Sequence, residues 1–244
     1  MASLKLFDSE RRVIEAAERL ATALDSGPNH TVAAAAMDTD GRIHEAVNVH
    51  HFTGGPCAEL VVLGAAAAAG AGPLVTIAAA GDQGRGLIPP CGRCRQALLD
   101  LHPDVFVAVP TDDGPALRPI RKLLPDTYFF PDADARRIVR FNKRYYEDIA
   151  TARKTSSVRH DDPIAPGPAL FLFEDDEAHR TLNGIVTGVE RHRLDRLTAA
   201  QARLDDGTSI EQLKSGLQGH YPGLPSDAEV DIVTFTVEAP DTVQ

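Results

Sequence analysis

The sequence predicts an α/β protein in two parts, a mixed sheet covered by helices followed by a small β-barrel. Over residues 1–130 the apolar periodicity runs helix, hairpin, then alternating helix and strand. Beyond Pro131-Asp132-Ala133-Asp134 it changes to several short strands with few helices, as expected for a barrel of about a hundred residues. The 244 residues, 43% of them apolar, hold one large domain or two smaller ones. The reading adopted is a first domain over 1–130, a linker over 131–137 and a second domain over 138–244.

Taken in order, Asp8 to Leu24 carries Val13, Ala16, Ala17, Leu20 and Leu24 at helical spacing, with Asp8 or Ser9 as the expected cap. Thr31 to Met37 and Arg42 to Val49 flank Asp38-Thr39-Asp40-Gly41 and read as a hairpin. Helices are expected to start at Cys57 and Cys91, separated by a strand over Leu74 to Ala80 and a glycine-rich loop. A strand over Val105 to Thr111 and a short helix near Ile120 to Leu124 complete the first part. In the second, strands are expected over Ile138 to Phe141, Ser156 to Arg159, Ala169 to Phe173, Asn183 to Arg191 and Val230 to Glu238. Helices are expected over Asn142 to Ala152 and Ser209 to Leu217.

From Leu60 to Gly81 there is no charged residue, a length that suggests a membrane helix. Gly70-Ala71-Gly72-Pro73 cuts the stretch in two, so a buried helix and a buried strand are expected instead. Charge appears at Lys5, Asp8 and Glu10, which is unlike a signal peptide, and the three sparse cysteines suit a reducing compartment. A cytoplasmic protein is the expectation. The formal charge of −10 disfavours nucleic-acid phosphate and anionic lipid as partners and suits a small neutral or cationic substrate.

Every cysteine lies in two blocks, Pro56-Cys57-Ala58-Glu59 and Pro90-Cys91-Gly92-Arg93-Cys94. Three thiolates would hold zinc and keep its fourth position for water, whose pKa falls toward about 7. Glu59, two residues past the first ligand, would ferry protons. This is the pattern of the zinc nucleobase deaminases. The alternatives are a structural zinc knuckle closed by His50 or His51, or cysteines buried as small hydrophobes. Helix N-termini favour thiolates, and three of them on one dication leave a negative cluster that Arg93 or Arg95 would offset. A solvated helix face is the plainer account of both arginines.

These blocks carry a resemblance. His51-Phe52-Thr53-Gly54-Gly55-Pro56-Cys57-Ala58-Glu59-Leu60 and Cys91-Gly92-Arg93-Cys94-Arg95-Gln96 resemble the cytidine deaminase superfamily, and within it the blasticidin-S deaminases, over about residues 10–130. The resemblance implies an α/β/α sandwich of cytidine-deaminase type with a mixed sheet, a cytosine-nucleoside substrate, and a homotetramer whose pockets are completed by neighbouring subunits. It implies zinc on Cys57, Cys91 and Cys94, with Glu59 as proton shuttle. It places Asn48 on the sugar, His50 at the substrate, and Tyr128 and Phe130 in an aromatic tail closing the pocket, and Arg93 is taken as a further substrate contact. A turn role for Asn48, a structural one for His50 and core packing for the two aromatics are the alternatives.

Phe141 to Val237 resembles the ASCH domains, which are PUA-like β-barrels, and among them the N(4)-acetylcytidine amidohydrolases. The matching stretches include Ala152-Arg153-Lys154-Thr155-Ser156-Ser157-Val158-Arg159, Phe173-Glu174-Asp175-Asp176 and His220-Tyr221-Pro222-Gly223. The resemblance implies an active set of Lys154, Ser157 in place of a threonine, and Asp205 or Asp206 in place of a glutamate. A lysine as base, a hydroxyl as nucleophile and an orienting carboxylate form a sound hydrolytic group. Lys154 and Arg159 as plain surface charges, a barrel that binds RNA through the basic run Arg136 to Arg144, or one that serves only assembly or ligand sensing are the competing accounts.

Overall fold

The computed structural model describes residues 6–25, 27–128, 130, 135, 137–204 and 208–238. They group into two units divided between Ile138 and Val139, with Glu174–Thr181 grouped with the first. Residues 131–134 and 136 of the expected linker lie outside the described residues.

In the first unit helix α1 (Asp8–Thr22) buries Val13, Ile14, Ala16, Ala17 and Ala21. Its cap is Phe7 rather than Asp8 or Ser9. The Glu10 carboxylate, three residues in, turns back to accept the Phe7 N–H at 2.8 Å, while Ser9 is buried. The hairpin of β1 (Val32–Asp38) and β2 (Ile43–Val47) is antiparallel. Its turn is held by the Asp38 carboxylate, which accepts the Asp40 and Arg42 N–H groups, and by Gly41 at φ +77°.

Strand β3 (Leu74–Gly81) is buried along its whole length because it lies mid-sheet, antiparallel to β1 and parallel to β5 (Phe106–Thr111). The uncharged stretch is therefore two elements, α2 (Ala58–Ala68) and β3, and among the described residues no helix is long and apolar enough to cross a membrane. The strand order is β2-β1-β3-β5-β6, with β6 spanning Gly114–Pro119 and β4 (Gly86–Ile88) paired on the end of β3. Neither β4 nor β6 was expected from the sequence. Gly114, Pro115 and Pro119 disfavour a strand, yet β6 is an edge strand, where a missing N–H costs no ladder bond.

Helix α3 (Gly92–Leu101) joins α2 on one sheet face, where Val62, Leu63, Ala66, Leu98 and Leu99 pack on Ala34, Ala36, Ile77 and Ala79. Helix α1 packs on β1 and β3, whose alternate residues Ala33, Ala35, Ala78 and Ala80, paired across the two strands, are also buried. Helix α4 (Ile120–Leu123) buries Ile120 in the α2–α3 core.

The second unit carries β7 (Arg137–Asn142), β8 (Ser156–Arg159), β9 (Gly167–Glu174), β10 (Arg180–Arg193) and β11 (Glu229–Val237), in the order β7-β9-β10-β11-β8. The helix expected over Asn142 to Ala152 is a 3-10 turn at Lys143–Tyr145 followed by the short α5 (Tyr146–Ala150). Phe141, Phe171, Phe173 and Phe235 form the core on one side, Phe141 lying 5.4–5.5 Å from each of the others. On the other, Leu217 of α6 (Ile210–His220) packs with Leu194, Leu197, Val230 and Ile232. The sheet is curled, and among the described residues its end strands are joined by a side chain and not by a ladder. Arg159 on β8 donates to the Arg140 carbonyl of β7 at 2.7 Å and lies 4.8 Å over the Phe141 ring.

Candidate metal centre

Cys57 and Cys91 are the residues immediately before α2 and α3, each in extended backbone conformation. Their carbonyls open the helices, Cys57 accepting from Val61 and Cys91 from Arg95. Cys94, in the first turn of α3, is fully buried. The three sulfurs converge, 3.8 Å between Cys57 and Cys91, 3.5 Å between Cys91 and Cys94, and all within 4.8 Å of one another. Tetrahedral zinc with bonds of about 2.3 Å sets sulfurs roughly 3.8 Å apart, so the trio fits this ion.

The electrostatics agree with that fit. Burial pushes the Cys94 thiol up, and the charge of Glu59 and the neighbouring sulfurs push it further. Burial raises Cys57 as well, whereas at Cys91 the N–H groups of Cys94 and Arg93 and the adjoining thiols outweigh burial and lower it. Three thiolates at these distances require a cation among them. Among the described residues no histidine or carboxylate joins the cluster, so the side chains supply three donors, the number found where a fourth position is kept for water. His51 instead bonds Thr53 Oγ1 through Nδ1 at 2.7 Å, and His50 is exposed, its backbone N–H donating to the Asn29 carbonyl.

Glu59, in the first turn of α2, is only 5% exposed. Burial holds its carboxyl above the ordinary range, opposed by its own backbone N–H and by the Cys94 thiol. A narrow void lined by Ile77, Ala79, Leu98 and Val107 adjoins it. A buried carboxyl beside a cation-holding trio is suited to proton transfer.

The other expected residues are placed as follows. The Asn48 side-chain oxygen accepts the Thr31 and Val32 N–H groups at 2.7 and 2.9 Å, which commits it to the start of β1. Arg93 is exposed beside Cys94. Tyr128 and Phe130 are 70% and 50% exposed, on a segment fixed to α3 by Gln96, which donates to the Tyr128 carbonyl and accepts from Thr127. Sequence reasoning passed over Gln96, and over Gly55, where a Cβ would lie 1.8 Å from the Val49 carbonyl oxygen. The Gly54-Gly55-Pro56 run before the first cysteine was the signal for that close approach. In the second unit Ser157 Oγ accepts from Arg159, which also pairs with Asp162 at 3.1 Å, and Lys154 Nζ lies 5.1 Å over the Tyr145 ring. Asp205 and Asp206 lie outside the described residues.

Known proteins share much of this chain. A blasticidin-S deaminase of Bacillus cereus is 28% identical over 137 residues, 52% of this chain and 98% of its own. A cytidine deaminase of Mycobacterium tuberculosis is 39% identical over 105 residues, 41% of this chain and 74% of its own. The chain belongs to the cytidine deaminase family. Among solved structures, a cytidine deaminase of Burkholderia pseudomallei is 32% identical over 48% of this chain and 98% of its own, with a TM-score of 0.41. No family model matches the chain. In this member of the cytidine deaminase family, the paired cysteine blocks and Glu59 are the residues that the fold gathers at one point.

Proposed function

We propose that the first unit hydrolytically deaminates a cytosine nucleoside or a cytosine nucleoside antibiotic resembling blasticidin S. The observation that carries this is the convergence of Cys57, Cys91 and Cys94 beside the buried Glu59. Relatives named as cytidine and blasticidin-S deaminases support the substrate class. Zinc held by the three cysteines would supply Lewis acidity and lower the pKa of a water toward about 7. Glu59 then performs the proton work. It takes one proton from the attacking water and passes it to the ring nitrogen of cytosine, then takes the second from the hydroxyl added to the ring carbon and gives it to the amine, so that the carbon–nitrogen bond breaks, the carbonyl forms and the amine leaves as ammonia. Its burial matches that duty, because an acid that shuttles protons near neutrality must sit above the usual carboxylate range. His50, Arg93, Tyr128 and Phe130 are the proposed substrate contacts, with Asn48 setting the strand end beside them, in a cytoplasmic homotetramer.

The second unit is proposed to remove acyl groups from the same exocyclic nitrogen, using Lys154 as base, Ser157 as nucleophile and Asp205 or Asp206 to orient them. The hydrogen bond from Arg159 to Ser157 Oγ supports this reading, since it fixes the hydroxyl on the face of β8 that carries the guanidinium. Together the two steps would release a free amine and then replace it by oxygen.

A panel of cytidine, deoxycytidine, blasticidin S and N(4)-acetylcytidine, read by ammonia release and product mass, tests both activities. Zinc-reconstituted protein that releases no ammonia from any of them overturns the first. Retention of the acetyl group overturns the second and returns the curled sheet to an RNA-binding or ligand-sensing role, which RNA titration at varied salt separates.

A further inference from the structure

We propose that Arg95 is a positioning residue for the metal ligand Cys91, an inference that rests on the reading of the cysteine trio as a zinc site. Cys57 and Cys91 each open a helix and Cys94 lies within α3, but Cys91 is the exposed one and enters from the Pro89-Pro90 segment. Prolines have no N–H, so this segment can be tied down through the backbone only by its carbonyls. Arg95 does that. Its Nε donates to the Pro90 carbonyl at 2.8 Å, and its Nη1 donates to the Leu123 carbonyl at the end of α4, also at 2.8 Å. Both acceptors need a partner: Pro90 is a buried residue, and Leu123 closes a helix whose last carbonyls have none within it.

The guanidinium suits the task because it is a planar fork with donors pointing in two fixed directions, so one side chain holds two strands of backbone at a set separation. The Arg95 backbone N–H also bonds the Cys91 carbonyl at 2.9 Å. Arg95 therefore grips the ligand's own peptide and the peptide before it, one residue beyond Cys94. Cys91 is thus held in register with Cys94 from outside the sulfur cluster. A lysine would keep the charge but offer one point of attachment.

The test is chelator-driven zinc release from the full, zinc-reconstituted chain, followed by the absorbance of the zinc–chelator complex, with circular dichroism reporting the fold. Arg95→Ala is expected to speed release about 10–100-fold, the usual cost of removing a group that orients a ligand, and Arg95→Lys by an intermediate factor. Arg42→Ala is the matched control. Arg42 also donates to two backbone carbonyls, those of Ala69 and Gly70, but at the hairpin turn, so its loss should leave release at the wild-type rate. Wild-type release from both Arg95 variants overturns the proposal, as does equal acceleration by Arg42→Ala, which would mark a general loss of stability. If Arg95→Ala does not fold, Arg95→Lys decides by the same criterion. Wild-type protein that retains no zinc after reconstitution instead overturns the reading of the trio.

Discussion

The two units fill their sheets in opposite ways. In the first, helices α2 and α3 lie on a face surfaced by Ala34, Ala36, Ile77 and Ala79. In the second, four phenylalanine rings with contacts of 5.2–5.5 Å occupy one side of the sheet, flanked by the short α5. Small side chains let helices settle close to a sheet, which brings two helix N-termini and their cysteines to one point. In the second unit the large rings fill one side of a curled sheet with only the short α5 beside them, and Ser157 and Arg159 lie on a strand at its end. The first arrangement gathers donors from separate segments of the chain, whereas in the second Lys154, Ser157 and Arg159 lie in one short stretch.

The largest effect should separate the two chemically. Glu59→Gln keeps shape and hydrogen bonding but cannot carry the proton, so kcat for deamination is expected to fall by about 10²–10⁴. Zinc content by elemental analysis should not change, and removal of an N(4)-acetyl group, where present, should continue. Deamination at the wild-type rate would take the proton role from Glu59.

Phe141→Ala tests the aromatic core. It removes the ring that lies against Phe171, Phe173 and Phe235, and a loss of about 3–5 kcal/mol is expected from chemical denaturation. The corresponding test of the first unit is overpacking. Ala36→Val adds bulk to a fully buried strand residue under α2 and α3, for an expected cost of about 1–3 kcal/mol. If the close approach of those helices sets the sulfur distances, this variant should also lose zinc to a chelator faster, while Phe141→Ala, once folded, should not.

The same contrast explains what the sequence made legible. Cys57 and Cys91 could be read as helix starts because each ends a proline-bearing loop ahead of helix-forming residues, which is a local signal. The hairpin was legible from Asp38-Thr39-Asp40-Gly41, whose side chain and glycine make the turn themselves. What escaped depends on partners distant in sequence. Strand β6 is hidden by prolines that only an edge position tolerates. The bonds of Gln96 to Thr127 and Tyr128 span about thirty residues and leave no periodicity. The cap of α1 escaped for a local reason instead, because Ser9 and Asp8 are common caps while the observed contact comes from Glu10, three residues on, reaching back to Phe7. In the second sheet the bond from Arg159 to the Arg140 carbonyl links the two end strands, and no strand pattern encodes it.

The smallest expected effect concerns pH and again distinguishes the units. His102 follows α3 in the first unit, where burial lowers its pKa to about 4 and its Nδ1 accepts the Leu74 N–H at 3.2 Å. The folded state thus holds the neutral ring, while the unfolded chain takes up a proton near pH 6.5. Stability from this group is therefore complete above about pH 6.5 and is lost as pH falls from there toward 4, because the unfolded state binds more protons in that window. Between pH 7 and pH 5 the loss should be about 1–2 kcal/mol. His102→Gln keeps an acceptor for Leu74 but does not titrate, so wild type minus variant isolates this histidine from acid release of metal. Denaturation at the two pH values should give a difference that shrinks at pH 5. A difference that stays constant would mean that the ring is protonated in the fold, and that the bond holding the start of β3 is made by some other donor arrangement.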